Sequence, residues 1–173
     1  MVRYLLPFLV FFSFLIEGTW FQIFVNTSAG GVEWVPRITL LLVIFTSIYR
    51  GPGAGIILGL FAGALYDLTY TDLLGLYIFS FGLVAYLCSY PFRGIKSSLL
   101  LQLSVVVGAL VIFEWMTYGI YYVADYTDVI FADFFVWRLM PSLLLNTAAA
   151  ALLYLPLQKL FIYIEKSEKI WQR

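Results

Sequence analysis

Six long apolar runs, separated by short polar turns, dominate the chain of 173 residues. A helix needs about 20 predominantly apolar residues to cross a bilayer, so the chain has room for roughly six crossings and little else. Such runs satisfy their backbone hydrogen bonds internally when they are helical. The sequence predicts an all-α polytopic membrane protein with one transmembrane domain over residues 1–173. The predicted spans are about 4–25, 34–49, 53–66, 73–90, 97–123 and 134–162.

The composition excludes several functional classes. With 63% hydrophobic and 12% charged residues, the chain does not resemble an ordinary soluble domain. It has no histidine and one cysteine, Cys88, which excludes a disulfide within the chain and metal sites rich in His or Cys. A formal net charge of zero argues against nucleic acid as a partner. We find no Ser/His/Asp set, no phosphate-binding loop with a lysine and no HExxH motif, and we expect neither enzymatic activity nor a cofactor.

The basic residues predict the orientation of the spans. Placing both termini in the cytoplasm puts eight of the ten Lys and Arg residues inside, which is a strong positive-inside bias. We therefore expect a multi-pass membrane protein, surrounded by membrane lipid, with cytoplasmic N and C termini. Only Arg37 and Arg138 fall toward the outside. The inside residues are Arg3, Arg50, Arg93, Lys96, Lys159, Lys166, Lys169 and Arg173.

A glycine repeat marks the third span. Gly51, Gly55, Gly59 and Gly63 recur every four residues, and the next step reaches Asp67. On a helix this spacing makes a ridge without side chains, which lets another backbone approach closely. Asp67 ends the ridge near the C-terminus of the helix, where a carboxylate is disfavoured unless a partner offsets its charge.

This ridge has two possible uses, packing within the monomer or binding a partner helix. In the second case the candidate partner-binding residues are Gly55, Gly59, Gly63, Tyr66 and Asp67.

We single out three charged residues inside the predicted spans: Glu17, Glu114 and Arg138. Each would cost about 2.5–3.5 kcal/mol or more if it faced lipid at mid-membrane. Counted at about 1.5 Å per residue, all three fall in the outer half of the bilayer. An ion pair between Arg138 and either Glu17 or Glu114 is therefore possible. It would serve to fasten the bundle, or else to face a substrate or partner; a proton relay is less favoured without histidine.

Two further residues of the last span belong to this polar region. Asn146 follows Arg138 by eight residues, roughly on the same helical face, and we expect it to hydrogen-bond to a neighbouring helix. Pro141 is expected to kink the span and to free a backbone carbonyl. Kinks of this kind line binding sites in some transporters.

The turns carry prolines and capping residues. Pro36 and Pro52 are expected in the first turns of spans two and three, where the missing N–H has no consequence. Residues 67–72 are predicted to form a polar turn, with Thr71 or Asp72 as the cap of the fourth span.

The order of these motifs resembles the MreD family, the rod shape-determining membrane proteins of bacteria, and especially its Firmicute type. The resemblance rests on Gly59, Gly63, Tyr66 and Asp67 followed by the segment LGLY at residues 74–77. It extends to the N-terminal segment RYLLPFLVFFSFLIE, Val35-Pro36, the segment RLMPS at residues 138–142 and the segment LNT at residues 145–147.

The resemblance implies a non-enzymatic scaffold of the cell-elongation complex. Members of this family partner the single-span protein MreC, in a machine that also contains MreB filaments, RodA and a class B penicillin-binding protein and makes peptidoglycan. It also implies a fold similar to the six-helix substrate-binding subunits of energy-coupling-factor transporters. Under this hypothesis the glycine ridge and Asp67 help to receive the MreC helix.

A vitamin-type small-molecule capture subunit of a transporter is the alternative function. Glu17, Glu114, Arg138 and Asn146 would then line an outward-opening pocket. The first span lacks the small-residue coupling motif that such subunits commonly carry, which argues against this alternative. Handling of a lipid-linked precursor is a third and weaker possibility.

Overall fold

The structure, a computed structural model, describes residues 4–24, 32–90 and 94–171 and contains six principal helices. No strand occurs within these residues. A short 3₁₀ turn, Ile95–Ser97, precedes the fifth helix. The helices are α1 (Leu5–Phe24), α2 (Ile38–Arg50), α3 (Pro52–Tyr70), α4 (Leu76–Cys88), α5 (Leu99–Val123) and α6, which consists of Phe131–Asp133, a π-helical segment Phe134–Leu139, and Met140–Trp171.

Three of these helices are long and apolar enough to cross a membrane: Pro52–Tyr70, Leu99–Val123 and Phe131–Glu168. The shorter apolar helices are Leu5–Thr19, Ile38–Arg50 and Leu76–Cys88. At about 1.5 Å per residue, the 13 residues of α2 or α4 cover about 20 Å, less than a hydrocarbon core of about 30 Å. The all-helical class is confirmed, whereas six crossings remain a prediction.

Helix α2 is the centre of the bundle. Residues 39–48 are buried without interruption; most are apolar, and the hydroxyls of Thr46 and Ser47 donate to backbone carbonyls of the same helix. The other helices surround it in the order α1, α3, α4, α5 and α6, each packed against the next. Helices α1 and α6 are the two ends of this arrangement, and within the described residues they do not pack extensively against each other.

The predicted start of the second span is wrong. Residues 32–37 are not helical, and α2 begins at Ile38, so Pro36 precedes the helix instead of occupying its first turn. Two physical causes agree with this. Proline disfavours helical geometry at the residue before it, here Val35, and the backbone of residues 33–37 hydrogen-bonds to α6 instead.

The predicted polar turn after the third span is also wrong in its limits. Helix α3 continues to Tyr70, which places Asp67 inside the helix, whereas Pro52 does occupy its first turn as expected. Neither Thr71 nor Asp72 caps α4. The residue before α4 is Gly75, with a left-handed φ of 99°, and the backbone N–H groups there are bound by Asp67.

Basic side chains join three elements at one end of the bundle. At one end Arg50 donates two hydrogen bonds to Glu168, of 2.6 and 2.7 Å, and Lys96 Nζ donates to the Tyr49 carbonyl at 3.0 Å. The α2–α3 turn, the segment before α5 and the C-terminal part of α6 therefore meet at this end. Residues 32–37 and the α3–α4 turn lie at the opposite end.

Candidate functional site

The glycine ridge of α3 packs inside the monomer. A methyl group at Gly63 would lie 2.5 Å from Ile78 Cα and 2.6 Å from the Tyr77 carbonyl oxygen on α4. At Gly59 it would lie 2.9 Å from the Phe81 carbonyl oxygen, and at Gly55 it would lie 2.9 Å from Ser47 Cα on α2. The ridge thus allows α3 to approach α4 and α2 at backbone distance.

Asp67 is also engaged within the chain. Its carboxylate is buried and accepts hydrogen bonds from the N–H groups of Gly75 (2.9 Å), Tyr77 (2.8 Å) and Ile78 (3.0 Å). The N-terminus of α4, with its positive dipole end, is the partner that offsets this charge. Of the two uses considered for the ridge, packing within the monomer is the one the structure displays, and the face has no room for another helix.

Arg37 is the centre of the polar cluster. The charge pattern had placed it among the residues flanking the spans, yet it is only 4% exposed. Its Nε donates to Glu114 Oε1 at 3.0 Å, and its guanidinium lies over the Phe113 ring, 5.2 Å from the centroid. The sequence analysis did not identify Arg37 as a member of the cluster, because its only signal was its position directly before a mostly apolar helix.

Asn146 holds the backbone on either side of Pro36. Its side-chain Nδ2 donates to the Val35 carbonyl at 2.8 Å, and its Oδ1 accepts from the Arg37 N–H at 2.7 Å. Ser142, one turn earlier on α6, donates to the same Val35 carbonyl at 3.1 Å. The Asn146 amide therefore hydrogen-bonds to Val35 and Arg37 as the backbone of a neighbouring β-strand would. These two bonds fix the backbone position of Arg37.

The region before Pro141 contributes a further contact to the same segment. Pro141 lacks the N–H that would bind the Trp137 carbonyl four residues earlier. That carbonyl instead accepts from the Glu33 N–H at 2.8 Å. The adjoining residues 134–139 form a π-helical turn, a feature common at functional sites.

Glu17 of α1 binds the beginning of α2. Its carboxylate is buried, and Oε2 accepts from the Thr39 N–H at 3.0 Å, at the helix N-terminus where an anion is favoured. The hydroxyls of Ser13 and Thr39 lie 3.2 Å apart and strengthen the same contact between the helices.

Arg138 is held less firmly than Arg37. Its side chain is 37% exposed; Nη1 donates to Glu33 at 3.2 Å, and Nε lies 3.6 Å from Glu114 Oε2, beyond hydrogen-bond distance. The expected ion pair of Arg138 with Glu114 is thus confirmed, at 3.6 Å, whereas Arg138 does not pair with Glu17. Arg37 and Arg138 thus face the carboxylates of Glu114 and Glu33, and Glu17 lines the same cavity as the two arginines.

Two cavities meet at Arg138. The inner one, of about 170 Å³, lies between α1, α3 and residues 35–37 and is lined by Glu17, Arg37 and three tyrosines, Tyr66, Tyr70 and Tyr77. A wider cleft of about 740 Å³ lies beyond Arg138, between α5 and residues 126–137. No group of three or more His, Cys, Asp or Glu residues that could hold a metal ion occurs in the described part of the chain.

Comparison with known proteins identifies the family. The family model for the rod shape-determining protein MreD matches residues 2–164. The rod shape-determining protein MreD of Bacillus subtilis (strain 168) is 32% identical over 170 residues, covering 96% of this chain and 97% of that protein. No solved structure matches the chain, so the expected likeness to transporter subunits stays a prediction. The chain therefore belongs to the MreD family of rod shape-determining proteins.

Proposed function

We propose that this chain is a non-enzymatic membrane scaffold of the cell-elongation complex that binds MreC directly. Membership of the MreD family over residues 2–164 carries the proposal, because it indicates a role in rod shape determination. The described fold suits a scaffold: the polar cluster joins α1, α2, α5 and α6 through side chains that are mostly buried. Through MreC, or by direct contact, the chain would help to couple MreB filaments to RodA and a class B penicillin-binding protein.

The proposed topology has six spans with both termini in the cytoplasm. Arg50 and Lys96 meet at one end of the bundle together with the C-terminal part of α6, which carries Lys159 and Lys166. A concentration of basic residues at one end favours the cytoplasm for that end. The polar cluster then lies toward the outer surface. A fold like that of the energy-coupling-factor subunits is part of this proposal and rests on the family resemblance alone.

A partner helix would need a face other than the glycine ridge. Helices α1 and α6 are the ends of the helix arrangement and expose large apolar side chains, Phe8 and Phe12 on α1 and Leu144 and Leu152 on α6. We place the MreC helix along these helices. In this arrangement Gly55, Gly59, Gly63 and Asp67 would support MreC binding only by keeping α3 and α4 in place.

Co-expression with the MreC of the same organism tests the proposal. We expect the two chains to co-purify in detergent at a fixed stoichiometry, and the pair to restore rod shape to Bacillus subtilis cells depleted of their own MreD and MreC. Replacing Phe8 and Phe12 by alanine should reduce co-purification, whereas Ile57→Ala, at an equally exposed position of α3, should not. A well-folded wild-type chain that does not bind MreC would refute the proposal.

A further inference from the structure

The wider cleft beyond Arg138 has an acidic lining that is not neutralised within the described part of the chain. Three carboxylates border it, those of Glu33, Asp128 and Asp133, against one cation, Arg138. Arg138 already lies between two carboxylates, 3.2 Å from Glu33 and 3.6 Å from Glu114. The side chains of Asp128 and Asp133 form neither an ion pair nor a hydrogen bond with another described residue. One guanidinium against three carboxylates leaves the lining with two uncompensated negative charges.

The half of the bundle around this cleft also carries an excess of negative charge. Eight of the ten Asp and Glu residues belong to it, but only two of the ten Lys and Arg residues, Arg37 and Arg138. These acids are Glu17, Glu33, Asp67, Asp72, Glu114, Asp125, Asp128 and Asp133. Arg37 offsets Glu114, and the N-terminus of α4 offsets Asp67. In the sequence, residues 25–31 contain no charged side chain that could offset the others. This half of the bundle therefore attracts a positively charged partner.

Aromatic rings form much of the remaining wall of the cleft. They belong to Tyr118, Tyr121, Tyr126, Phe134 and Trp137. The Tyr118 ring stacks on Phe134, with the centroids 4.2 Å apart, and its hydroxyl donates to the Val129 carbonyl at 2.8 Å. Tyr126 and Trp137 are 56% and 44% exposed, so their rings are accessible to a partner. Cations bind over the faces of Tyr and Trp rings, and the apolar stems of Lys and Arg pack on the same surfaces.

Taking the scaffold role proposed above as its basis, we propose that the wider cleft binds a basic segment of MreC, directly outside its membrane helix, through lysine or arginine side chains. The carboxylates of Asp128 and Asp133 would receive the positive charges, and the rings of Tyr126 and Trp137 would receive the apolar stems. An anionic lipid headgroup or a pyrophosphate has the wrong charge for this lining.

The position and size of the cleft suit such a segment. Trp137 precedes Leu144, on the α6 face assigned above to the MreC helix, by seven residues, or about 10 Å along the helix. In the proposed topology this end of α6 faces the outside, so a chain that leaves the membrane along α6 reaches the cleft directly. The cleft volume of about 740 Å³ is roughly five times that of a cavity that holds benzene, which gives room for a short peptide segment.

The test compares two double variants that each remove two negative charges from this half of the bundle. Asp128→Asn/Asp133→Asn alters the cleft, whereas Asp72→Asn/Asp125→Asn, the control, alters two acids that do not line it. All four side chains are exposed, so both variants should melt close to wild type. At low ionic strength the cleft variant should bind MreC in detergent about two- to tenfold more weakly than the control, the equivalent of two lost exposed ion pairs. At about 1 M salt, where the Debye length is about 3 Å, this difference should disappear.

A second pair of variants tests the aromatic wall. Tyr126 lines the cleft and Tyr122 does not, and both are 56% exposed. Tyr126→Leu keeps an apolar side chain but removes the ring face, and it should weaken MreC binding about two- to fivefold, the equivalent of one exposed cation–π contact. Tyr122→Leu should bind MreC like wild type.

The same contact is tested from the side of MreC. Replacing the Lys and Arg residues directly outside the MreC membrane helix by Gln should weaken binding to the wild-type chain. It should not further weaken binding to Asp128→Asn/Asp133→Asn, because both changes remove the same contacts.

Three results would overturn the inference. The first is equal MreC affinity of the two double variants, and the second is unchanged binding of the neutralised MreC. The third is a lipid or small cation that purified wild type retains and the cleft variant loses while MreC binding is unchanged, which would assign the cleft to that ligand. In each of these cases wild type binds MreC. If wild type does not bind MreC, the scaffold proposal fails, and the inference fails with it.

Discussion

Replacement of Arg37 by methionine should destabilise the protein far more than the same change at Arg138. Arg37 and Glu114 are 3.0 Å apart, with side chains 5% and 1% exposed. Methionine keeps much of the volume of arginine but leaves the buried Glu114 carboxylate with only the more distant Arg138. Removing one member of a buried ion pair typically costs about 3–5 kcal/mol.

The comparison variants separate charge from packing. Arg138 is 37% exposed and contacts Glu114 at 3.6 Å, so Arg138→Met should cost at most about 1 kcal/mol. Replacing both Arg37 and Glu114 by methionine removes the unpaired charge as well. Because buried ion pairs can often be exchanged for apolar residues at little cost, this double variant should be more stable than Arg37→Met alone.

Thermal unfolding in detergent, monitored by tryptophan fluorescence, measures these differences in stability. With about 2–4 °C per kcal/mol for a chain of this length, Arg37→Met should melt about 6–20 °C below wild type. An equal decrease in melting temperature in Arg37→Met and Arg138→Met would refute the assignment of Arg37 as the centre of the cluster. A double variant less stable than either single variant would show that the pair is not coupled as described.

Three further substitutions test the packing of the site by the same unfolding assay. Asn146→Leu leaves the Val35 carbonyl and the Arg37 N–H without their strongest partner and should cost about 2–4 kcal/mol; a loss below about 0.5 kcal/mol would contradict the bridging role. Gly63→Ala should destabilise the protein because the methyl group meets the α4 backbone, whereas Gly108→Ala, with nothing within 4 Å, should be neutral or stabilising by up to about 1 kcal/mol; equal effects would contradict the close approach. Asp67→Ala should cost at least about 1–2 kcal/mol through loss of the α4 cap, and loss of MreC binding without any loss of stability would instead restore a direct partner role for Asp67.

The fold class could be derived from the sequence because it depends on local properties. Apolar runs bounded by Pro, Gly and charges predict helices, and each of the six helices overlaps its predicted span. The second begins four residues later than expected, and the third and sixth end four and nine residues later. The glycine spacing likewise predicts a close backbone approach, although not the element that approaches. Only the tertiary structure shows that α4 and α2 occupy that face.

Most members of the polar cluster were predictable, but its central residue, Arg37, and its arrangement were not. Glu17, Glu114, Arg138 and Asn146 stand out because charged and amide groups are rare in apolar helices. The ion pairs join residues that are far apart in the chain, which local sequence does not reveal. The sequence around the central cation, Arg37, is typical of a residue that flanks a span.

What the sequence by itself determined is the helical, membrane-type chain, the glycine ridge and the buried carboxylates Glu17 and Glu114, because each follows from residue type and spacing. The tertiary structure alone decided that residues 32–37 leave the helix and bind to α6, that Asp67 caps α4, and that Arg37 pairs with Glu114. The physical reason is that a buried charge or unpaired backbone group takes whichever partner the packed helices bring within about 3 Å, and this distance is not encoded in local sequence.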